Sequence, residues 1–309
     1  MPAPPAHASQ ASQAPRAFAW MAVSAVGFAL MNFFAHVASR EAHWSLIITT
    51  RAVVGAAVAF GIARTRGATL VIRDRRGLLL RSAFGTLSMF CTFYALASRA
   101  LPLGDAVTLL NLQPVFLALL APLLLGERSG RRVFVALPLC LAGVVLIVQP
   151  TFLFGHTALP AAALPAVFVA LLGAVSSGFA WIALRRIGPR ESAEGVTVWF
   201  SLFAAASSVL VAVPHFAIPS AGVMGGMIAA GVCGGIAQIA VTRAHALEHT
   251  ARLAGLAYFT VAVDATLGAL ALREWPSGIA ASGIALIVSG GLVVTLASVR
   301  ERARAREAA

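Results

Sequence analysis

The sequence predicts an all-α integral membrane protein whose ten transmembrane helices form two five-helix repeats of opposite orientation. Composition is the first reason: 60% of the 309 residues are hydrophobic, 11% are charged, and the mean hydropathy is +0.89. Soluble proteins contain about 45–50% apolar and about 25% charged residues. This chain therefore has too few charges to cover a soluble surface. The other two reasons are the length of the apolar runs and the recurrence of landmarks from the first half in the second.

Ten apolar runs are long enough to cross a bilayer, which takes about 20 helical residues. They are bounded by charged residues, proline or glycine, and cover 17–38, 45–64, 78–98, 103–125, 132–150, 162–184, 195–214, 220–242, 253–272 and 276–298. The first run is too long for the apolar region of a cleaved signal peptide. We expect a disordered cytoplasmic tail over 1–16, one repeat over 17–150, a second over 162–298, and a basic cytoplasmic tail over 299–309.

The arginines predict the orientation. All 23 basic residues are arginine, and the formal net charge is +12. With the amino terminus in the cytoplasm, 19 arginines fall in cytoplasmic segments, Arg81 and Arg243 among them. Only Arg40, Arg99 and Arg273 fall in outer loops. Because cytoplasmic loops carry such an excess, we predict a protein of the cytoplasmic membrane with both termini inside. The charge is then an orientation signal, and we expect no nucleic-acid partner.

Several chemistries are excluded or unsupported. Without lysine the chain has neither a nucleotide-binding P-loop nor a Schiff-base lysine. The seven histidines are scattered, which does not predict an enzyme. Cys91, Cys140 and Cys233 lie far apart inside predicted spans, so their spacing predicts neither a disulfide nor a metal site. We expect no catalytic residue, metal or cofactor.

The chain contains an internal repeat. Leu125-Gly126-Glu127 at the end of the fourth span recurs as Leu272-Arg273-Glu274 at the end of the ninth. Glu127 and Glu274 are 147 residues apart, as are Gly143 and Gly290 in the following spans. Each half contains five crossings, and an odd number places the second half upside down relative to the first. Such inverted repeats are typical of transporters that alternate access.

The first half resembles the EamA-type repeat of the drug/metabolite transporter superfamily. The resemblance is carried by Tyr94-Ala95-Leu96-Ala97, Leu103-Gly104-Asp105-Ala106, Gln113-Pro114-Val115-Phe116 and Ala121-Pro122-Leu123-Leu124-Leu125-Gly126-Glu127-Arg128, and it extends from Ala17 to Leu296. In the second half, Tyr258-Phe259-Thr260-Val261 stands where the repeat has a proline.

The resemblance implies a secondary active transporter of a small organic solute, such as a metabolite, an amino acid or a drug-like compound. It also implies a cavity lined by spans one to four and six to nine, with the fifth and tenth at the periphery. The alternatives are the permease subunit of a pump with a separate ATPase, and a passive channel. The inverted repeat favours a self-contained carrier.

Two charged residues lie well inside predicted spans and away from their ends, where an unpaired charge is costly. Asp264 is near the middle of the ninth span, and we expect it either to exchange protons or contact substrate, or to form a structural hydrogen bond. Arg51 is about two turns inside the second span, where it can bind an anionic group, pair with another helix, or extend to the interface. Pairing Arg51 with Asp264 would lower the cost of burying both.

Polar side chains supply further candidates for the substrate pathway. Asn111, Gln113 and Pro114 predict a helix break in the fourth span, with carbonyl groups exposed to a cavity. Asn32 lies on one face of the first span with His36, which we interpret as an interface histidine. The remaining candidates are Gln238, Tyr94 and Tyr258. We expect Trp181 and Trp199 to be interface anchors.

Glycines in the eighth span predict a close helix contact. Gly222 and Gly226, then Gly231 and Gly235, are each four residues apart. Such spacing lets two helices approach closely. It serves either packing within the bundle or a homodimer interface.

Overall fold

The protein is described by a computed structural model. It describes residues 14–39, 41–98, 100–101, 106, 109–126, 131–149, 151–154, 161–248, 253, 256–272, 277–279 and 281–290, whose regular structure is helical. The helices are α1 (Ala14–Ala38), α2 (Trp44–Arg66), α3 (Arg75–Ala97), α4 (Gln113–Leu125), α5 (Arg131–Val148), α6 (Leu164–Ile187), α7 (Ala193–Ala212), α8 (Ala221–Leu247), α9 (Phe259–Leu272) and α10 (Ala281–Gly290). Single helical turns occupy Thr151–Phe154, Ala161–Ala163 and Val213–His215.

Within the described chain, six helices are long and apolar enough to cross a membrane, namely α1, α2, α3, α6, α7 and α8. They coincide with six of the predicted spans, which makes this a multi-pass membrane protein. The eighth helix differs most, because it continues to Leu247 rather than ending at 242. Helices α4, α5, α9 and α10 do not reach the same length or apolar content in the described residues. The count of ten crossings stays a prediction.

Short polar residues and glycines set the helix ends. Asp74 caps α3 by accepting a hydrogen bond from the Gly77 N–H at 2.8 Å. Ser192 caps α7 in the same way, accepting from the Gly195 N–H at 3.1 Å. These side chains satisfy backbone donors that the first helical turn leaves free. Gly67 ends α2 with a φ of 62°, a left-handed conformation that glycine adopts without strain.

Helix α8 packs closely against α1 and α2. A Cβ on Gly231 would lie 2.5 Å from the Cβ of Val54 on α2, and one on Gly235 would lie 3.0 Å from the Cα of Gly55. Gly231 and Gly235 therefore serve packing within the bundle, one of the two roles that their spacing predicted. A Cβ on Gly222, near the start of α8, would meet no described atom within 4 Å, so Gly222 takes no part in this contact.

Helix contacts occur in matched pairs. α1 packs on α8 as α6 packs on α3, and α1 packs on α9 as α6 packs on α4. Likewise, α2 packs on α8 as α7 packs on α3, and α2 packs on α7. Exchanging each helix for the one five places along the chain converts each of these contacts into its partner. The contacts of α8 with α6 and with α7 have no such counterpart among the well-packed pairs of the described chain, so the two halves share most but not all of their pairing.

The bundle has two ends with different side chains. The arginine-rich end carries the loops after α2 and α6, where the N–H groups of Arg73 and Asp74 donate to Glu191 Oε1 at 2.9 Å. The histidine end carries the loops after α1 and α7, where the rings of His43 and His215 stack with centroids 4.0 Å apart. These two names are used below.

Candidate functional site

A hydrogen bond joins two of the predicted pathway residues across the halves of the chain. Asn32 Nδ2 on α1 donates to Asp264 Oδ2 on α9 at 3.1 Å. Asp264 is half-buried and Asn32 is exposed, so the pair is not sealed in the core. A carboxylate placed in this way can exchange protons with water while remaining attached to the other half of the molecule.

Helices α4 and α9 break at corresponding positions. Residues 109–110 are helical, Asn111 and Leu112 form a turn, and the helix resumes at Gln113, with Pro114 in its first turn. In the second half, residues 256–257 are helical, Tyr258 forms a turn, and the helix resumes at Phe259. The second break thus occurs without a proline. The two breaks touch, because the buried Tyr258 hydroxyl donates to the carbonyl oxygen of Asn111 at 2.9 Å.

Arg51 lies against α3 and α8. Its Nη1 donates to Met89 Sδ at 3.2 Å, and its Nε lies 3.3 Å from the position that a Cβ on Gly234 would occupy. Among the described residues, no carboxylate oxygen lies within ion-pairing distance of Arg51, so it does not pair with Asp264. The guanidinium group points between helices and does not extend to the histidine end.

Arg81, Trp181 and His245 form a cluster that the sequence did not predict. The guanidinium carbon of Arg81 lies 4.2 Å from the ring centroid of Phe200 and 5.3 Å from that of Trp181. The rings of Trp181 and His245 stack with centroids 5.2 Å apart. Arg81 and His245 are each only 2% exposed. Four nitrogens in this cluster are buried and have no hydrogen-bond partner in the described part of the chain: Arg81 Nε and Nη1, Trp181 Nε1 and His245 Nδ1.

This cluster corrects two expectations. Arg81 was expected in a cytoplasmic loop, but it belongs to α3 and its side chain turns into the bundle. Trp181 was expected to anchor at the interface, but its indole N–H is buried beside His245. The signal that could have found Arg81 was its position inside the third predicted span, 78–98. His245 gave no such signal, because the predicted eighth span ended before it.

Two further arginines connect neighbouring helices at the arginine-rich end. Arg185 Nη1 on α6 donates to the carbonyl oxygens of His245 at 2.8 Å and of Ala246 at 3.2 Å, at the end of α8. Arg243 on α8 forms an ion pair with the buried Glu194 on α7. Arg243 was also expected in a loop, and the longer α8 places it within the helix instead.

The remaining predicted residues are more dispersed. Gln238 is buried on α8, Gln113 is half-buried at the start of α4, and Tyr94 is half exposed on α3. The described residues contain no group of three or more histidine, cysteine, aspartate or glutamate side chains able to hold a metal ion. The candidate site combines the Asn32–Asp264 pair, the paired helix breaks, the half-buried Arg51 and the buried Arg81.

These observations define a class of protein: a helical membrane protein whose interior carries ionisable and polar groups at several depths. Residues 15–149 match the EamA-like transporter family. Over 277 residues, the chain is 29% identical to the pseudopaline exporter CntI of Pseudomonas aeruginosa, covering 88% of this chain and 90% of the exporter. Residues 15–149 thus carry an EamA-like transporter domain, as the sequence motifs predicted, and this match together with the likeness to the exporter supports a membrane transporter of the drug/metabolite transporter superfamily.

Two further relatives extend this likeness. A riboflavin transporter of Vibrio cholerae is 24% identical over 301 residues, which cover 94% of this chain and 96% of the transporter. A crystal structure with 22% sequence identity has a TM-score of 0.80, covering 93% of this chain and 98% of that chain. At this identity the second likeness concerns the fold alone.

Proposed function

We propose that this protein is a secondary active transporter that moves a small organic solute across the cytoplasmic membrane by alternating access. The class of solute is suggested by the relatives named for pseudopaline and riboflavin, which are small organic molecules. The arginine excess favours an orientation in which the arginine-rich end faces the cytoplasm.

Two contacts support a two-fold relation between the halves. Tyr258 touches Asn111, and Cys140 Sγ lies 3.8 Å from the carbonyl oxygen of Ile287. The members of each contact are 147 residues apart, the same offset that separates Glu127 from Glu274. When two units are related by a two-fold axis, a residue meets its own counterpart only near that axis. With an odd number of crossings in each half, such an axis lies in the membrane plane and supports a rocking motion.

The observation that carries the coupling proposal is the hydrogen bond from Asn32 to Asp264. It joins α1 of the first half to α9 of the second, so rocking of the halves changes its environment. Protonation removes the charge of Asp264 and weakens its attraction for the Asn32 amide. A proton that enters from one side and leaves toward the other would thereby link the motion of the helices to the pH gradient.

The test uses the full chain in proteoliposomes with an imposed pH gradient and no ATP. The probe mixture contains citrate, glutamate, glucose 6-phosphate, glucose, putrescine and riboflavin, and mass spectrometry measures what accumulates. We expect the wild-type protein to concentrate at least one of these solutes. Asp264→Asn keeps the shape and an acceptor for Asn32, so we expect it to retain exchange at equal concentrations and to lose uphill accumulation.

The control is Glu41→Gln, which removes an exposed carboxylate at the histidine end and should accumulate solute normally. Asn32→Ala removes the hydrogen bond but keeps the titratable acid, so we expect uphill transport with an altered pH dependence. Undiminished uphill accumulation by Asp264→Asn would refute the coupling role. Failure of the wild-type protein to concentrate any solute without ATP would instead favour a pump subunit or a channel.

A further inference from the structure

We propose that Arg81, Trp181 and His245 form a binding site for an anionic group, a carboxylate or a phosphate, of the transported solute. This inference rests on the proposed transport function and specifies the substrate class. It starts from four buried nitrogens, on three different helices, that have no hydrogen-bond partner among the described residues.

The cluster combines donors that an oxyanion satisfies. A guanidinium group has only donors, and an indole N–H donates but cannot accept. The imidazole contributes a fourth nitrogen that donates in one tautomer. Buried polar groups in proteins are nearly always hydrogen-bonded, so several unpartnered donors in one place require an explanation. Carboxylate and phosphate oxygens accept from an arginine fork through two parallel bonds.

The aromatic neighbours hold Arg81 without using its donors. Phe200 and Trp181 present their rings to the guanidinium carbon, at 4.2 and 5.3 Å. A ring face attracts the cation but accepts no strong hydrogen bond. The N–H groups in the guanidinium plane therefore stay available. Stacking of Trp181 on His245 fixes the other two groups in the same region.

No described carboxylate is ion-paired with the guanidinium group of this cluster. In the part of the chain that the structure describes, Glu194 is paired with Arg243, Asp264 accepts from Asn32, and the buried Glu248, three residues beyond His245, forms no ion pair with Arg81. Arg81 makes no ion pair with a described carboxylate. Because an uncompensated buried cation is costly, an anionic solute that enters the bundle gains an attraction here that a neutral solute does not.

Arg51 adds positive charge on the way to this cluster. It contacts Met89, eight residues beyond Arg81 on α3, which is about 12 Å along the helix axis. The guanidinium group of Arg81 thus projects from α3, and that of Arg51 contacts α3 at a different depth. A solute entering from the histidine end meets Arg51 first and the Arg81 cluster second.

The test compares solutes that differ in charge, using the probe mixture described above. Glucose 6-phosphate against glucose isolates the phosphate group, and citrate reports on carboxylates. We expect the wild-type protein to concentrate anionic members of the mixture. Arg81→Gln should lower their transport at limiting concentration on the order of tenfold to a hundredfold, because it removes a charged donor pair. Trp181→Phe keeps the ring stacking and removes one donor, so we expect a loss of roughly fivefold.

The control is Arg66→Gln, which removes an exposed arginine at the end of α2 and should leave anion transport unchanged. Elution as a single species in detergent establishes that each variant is folded. If Arg81→Gln does not fold, Trp181→Phe still tests the anion site. Accumulation of only neutral or cationic solutes, or equal transport of anions by wild type and both variants, would overturn the anion site and leave the transport function standing. Absence of any accumulation by the wild type would instead remove the transport function itself.

Discussion

The two ends of the bundle are held together by different interactions. At the arginine-rich end, charged side chains connect separate helices: Arg243 pairs with Glu194, and Arg185 binds the carbonyl groups that end α8. At the histidine end, the polar contacts include a stacked pair of imidazole rings and an exposed hydrogen bond from Ser220 Oγ to Glu41 Oε2 at 3.0 Å, beside a buried apolar cluster that contains Leu46, Ile47 and Met227. Buried hydrogen bonds to charged groups are stronger than exposed ones. The polar contacts of the arginine-rich end are therefore the stronger ones.

The helix packing has the same asymmetry. α6 packs on α8 and is bound to it through Arg185, whereas the matched pair in the first half, α1 and α3, is not among the well-packed pairs of the described chain. The same holds for α7, which packs on α8 and is joined to it by the Arg243–Glu194 ion pair, whereas the matched pair α2 and α3 is not among the well-packed pairs of the described chain. Both differences place closer helix contacts at the arginine-rich end than at the histidine end.

The largest effect is expected from breaking the ion pair at the arginine-rich end. Arg243→Gln leaves the Glu194 carboxylate, only 5% exposed, without its partner. Loss of one member of a buried pair costs about 4 kcal/mol of the free energy of unfolding. Thermal unfolding in detergent, followed by the loss of the monodisperse peak, measures this cost.

The double variant Arg243→Gln with Glu194→Gln measures how much of the loss comes from the interaction between the two side chains. It removes both charges, so we expect it to be more stable than Arg243→Gln alone. Glu194→Gln alone completes the comparison. If the losses of Arg243→Gln and of Glu194→Gln simply add in the double variant, the pair does not couple α7 to α8, and the proposed difference between the ends loses its main support.

A smaller effect is expected from the two sections of α8. Gly231→Ala places a methyl group 2.5 Å from the Val54 Cβ, so α2 and α8 must move apart. Overpacking of this kind costs about 1–3 kcal/mol. Gly222→Ala, nearer the histidine end, meets no described atom within 4 Å and should be neutral or slightly stabilising.

Thermal unfolding of both alanine variants provides the measurement. Gly231→Ala combined with Val54→Ala should recover part of the loss, because it removes the atoms that clash. Equal melting temperatures for Gly231→Ala and Gly222→Ala would show that α8 is not more tightly packed in its middle than at its start.

Much of the fold could be predicted from the sequence, because an apolar run of span length between charged residues has few alternatives to a membrane helix. Asp264 and Asn32 were found because polar groups inside such runs are rare and costly. Their contact was not predictable. It joins residues 232 positions apart and depends on how α1 and α9 are rotated when they pack.

Arg81 and His245 show where composition is insufficient. A charge near the end of a span is assigned to the loop by its position alone, yet its side chain can turn toward the bundle or toward water. Helix rotation decides between the two, and the rotation of α3 is set by its packing against α6 and α7. The matched break at Tyr258 was hidden for a related reason, because no proline marks it.

The smallest effect concerns the histidine end. Burial and the neighbouring charge of His215 lower the pKa of His43 below the usual value of 6.5. The folded protein thus holds this proton less tightly than the unfolded chain, so His43 contributes stability above the usual histidine pKa. That contribution is lost as the pH falls through the lowered pKa. Protonation also removes the Nδ1 acceptor that caps α2 at Ser45.

His43→Asn tests this contribution, since asparagine keeps a capping oxygen and does not titrate. We expect wild type to lose more thermal stability than His43→Asn between about pH 7.5 and about pH 5. His215→Gln should fall between them, because it removes only the repulsion. Identical pH profiles for all three proteins would mean that the imidazole pair does not weaken the histidine end, and that any opening of this end arises from packing alone.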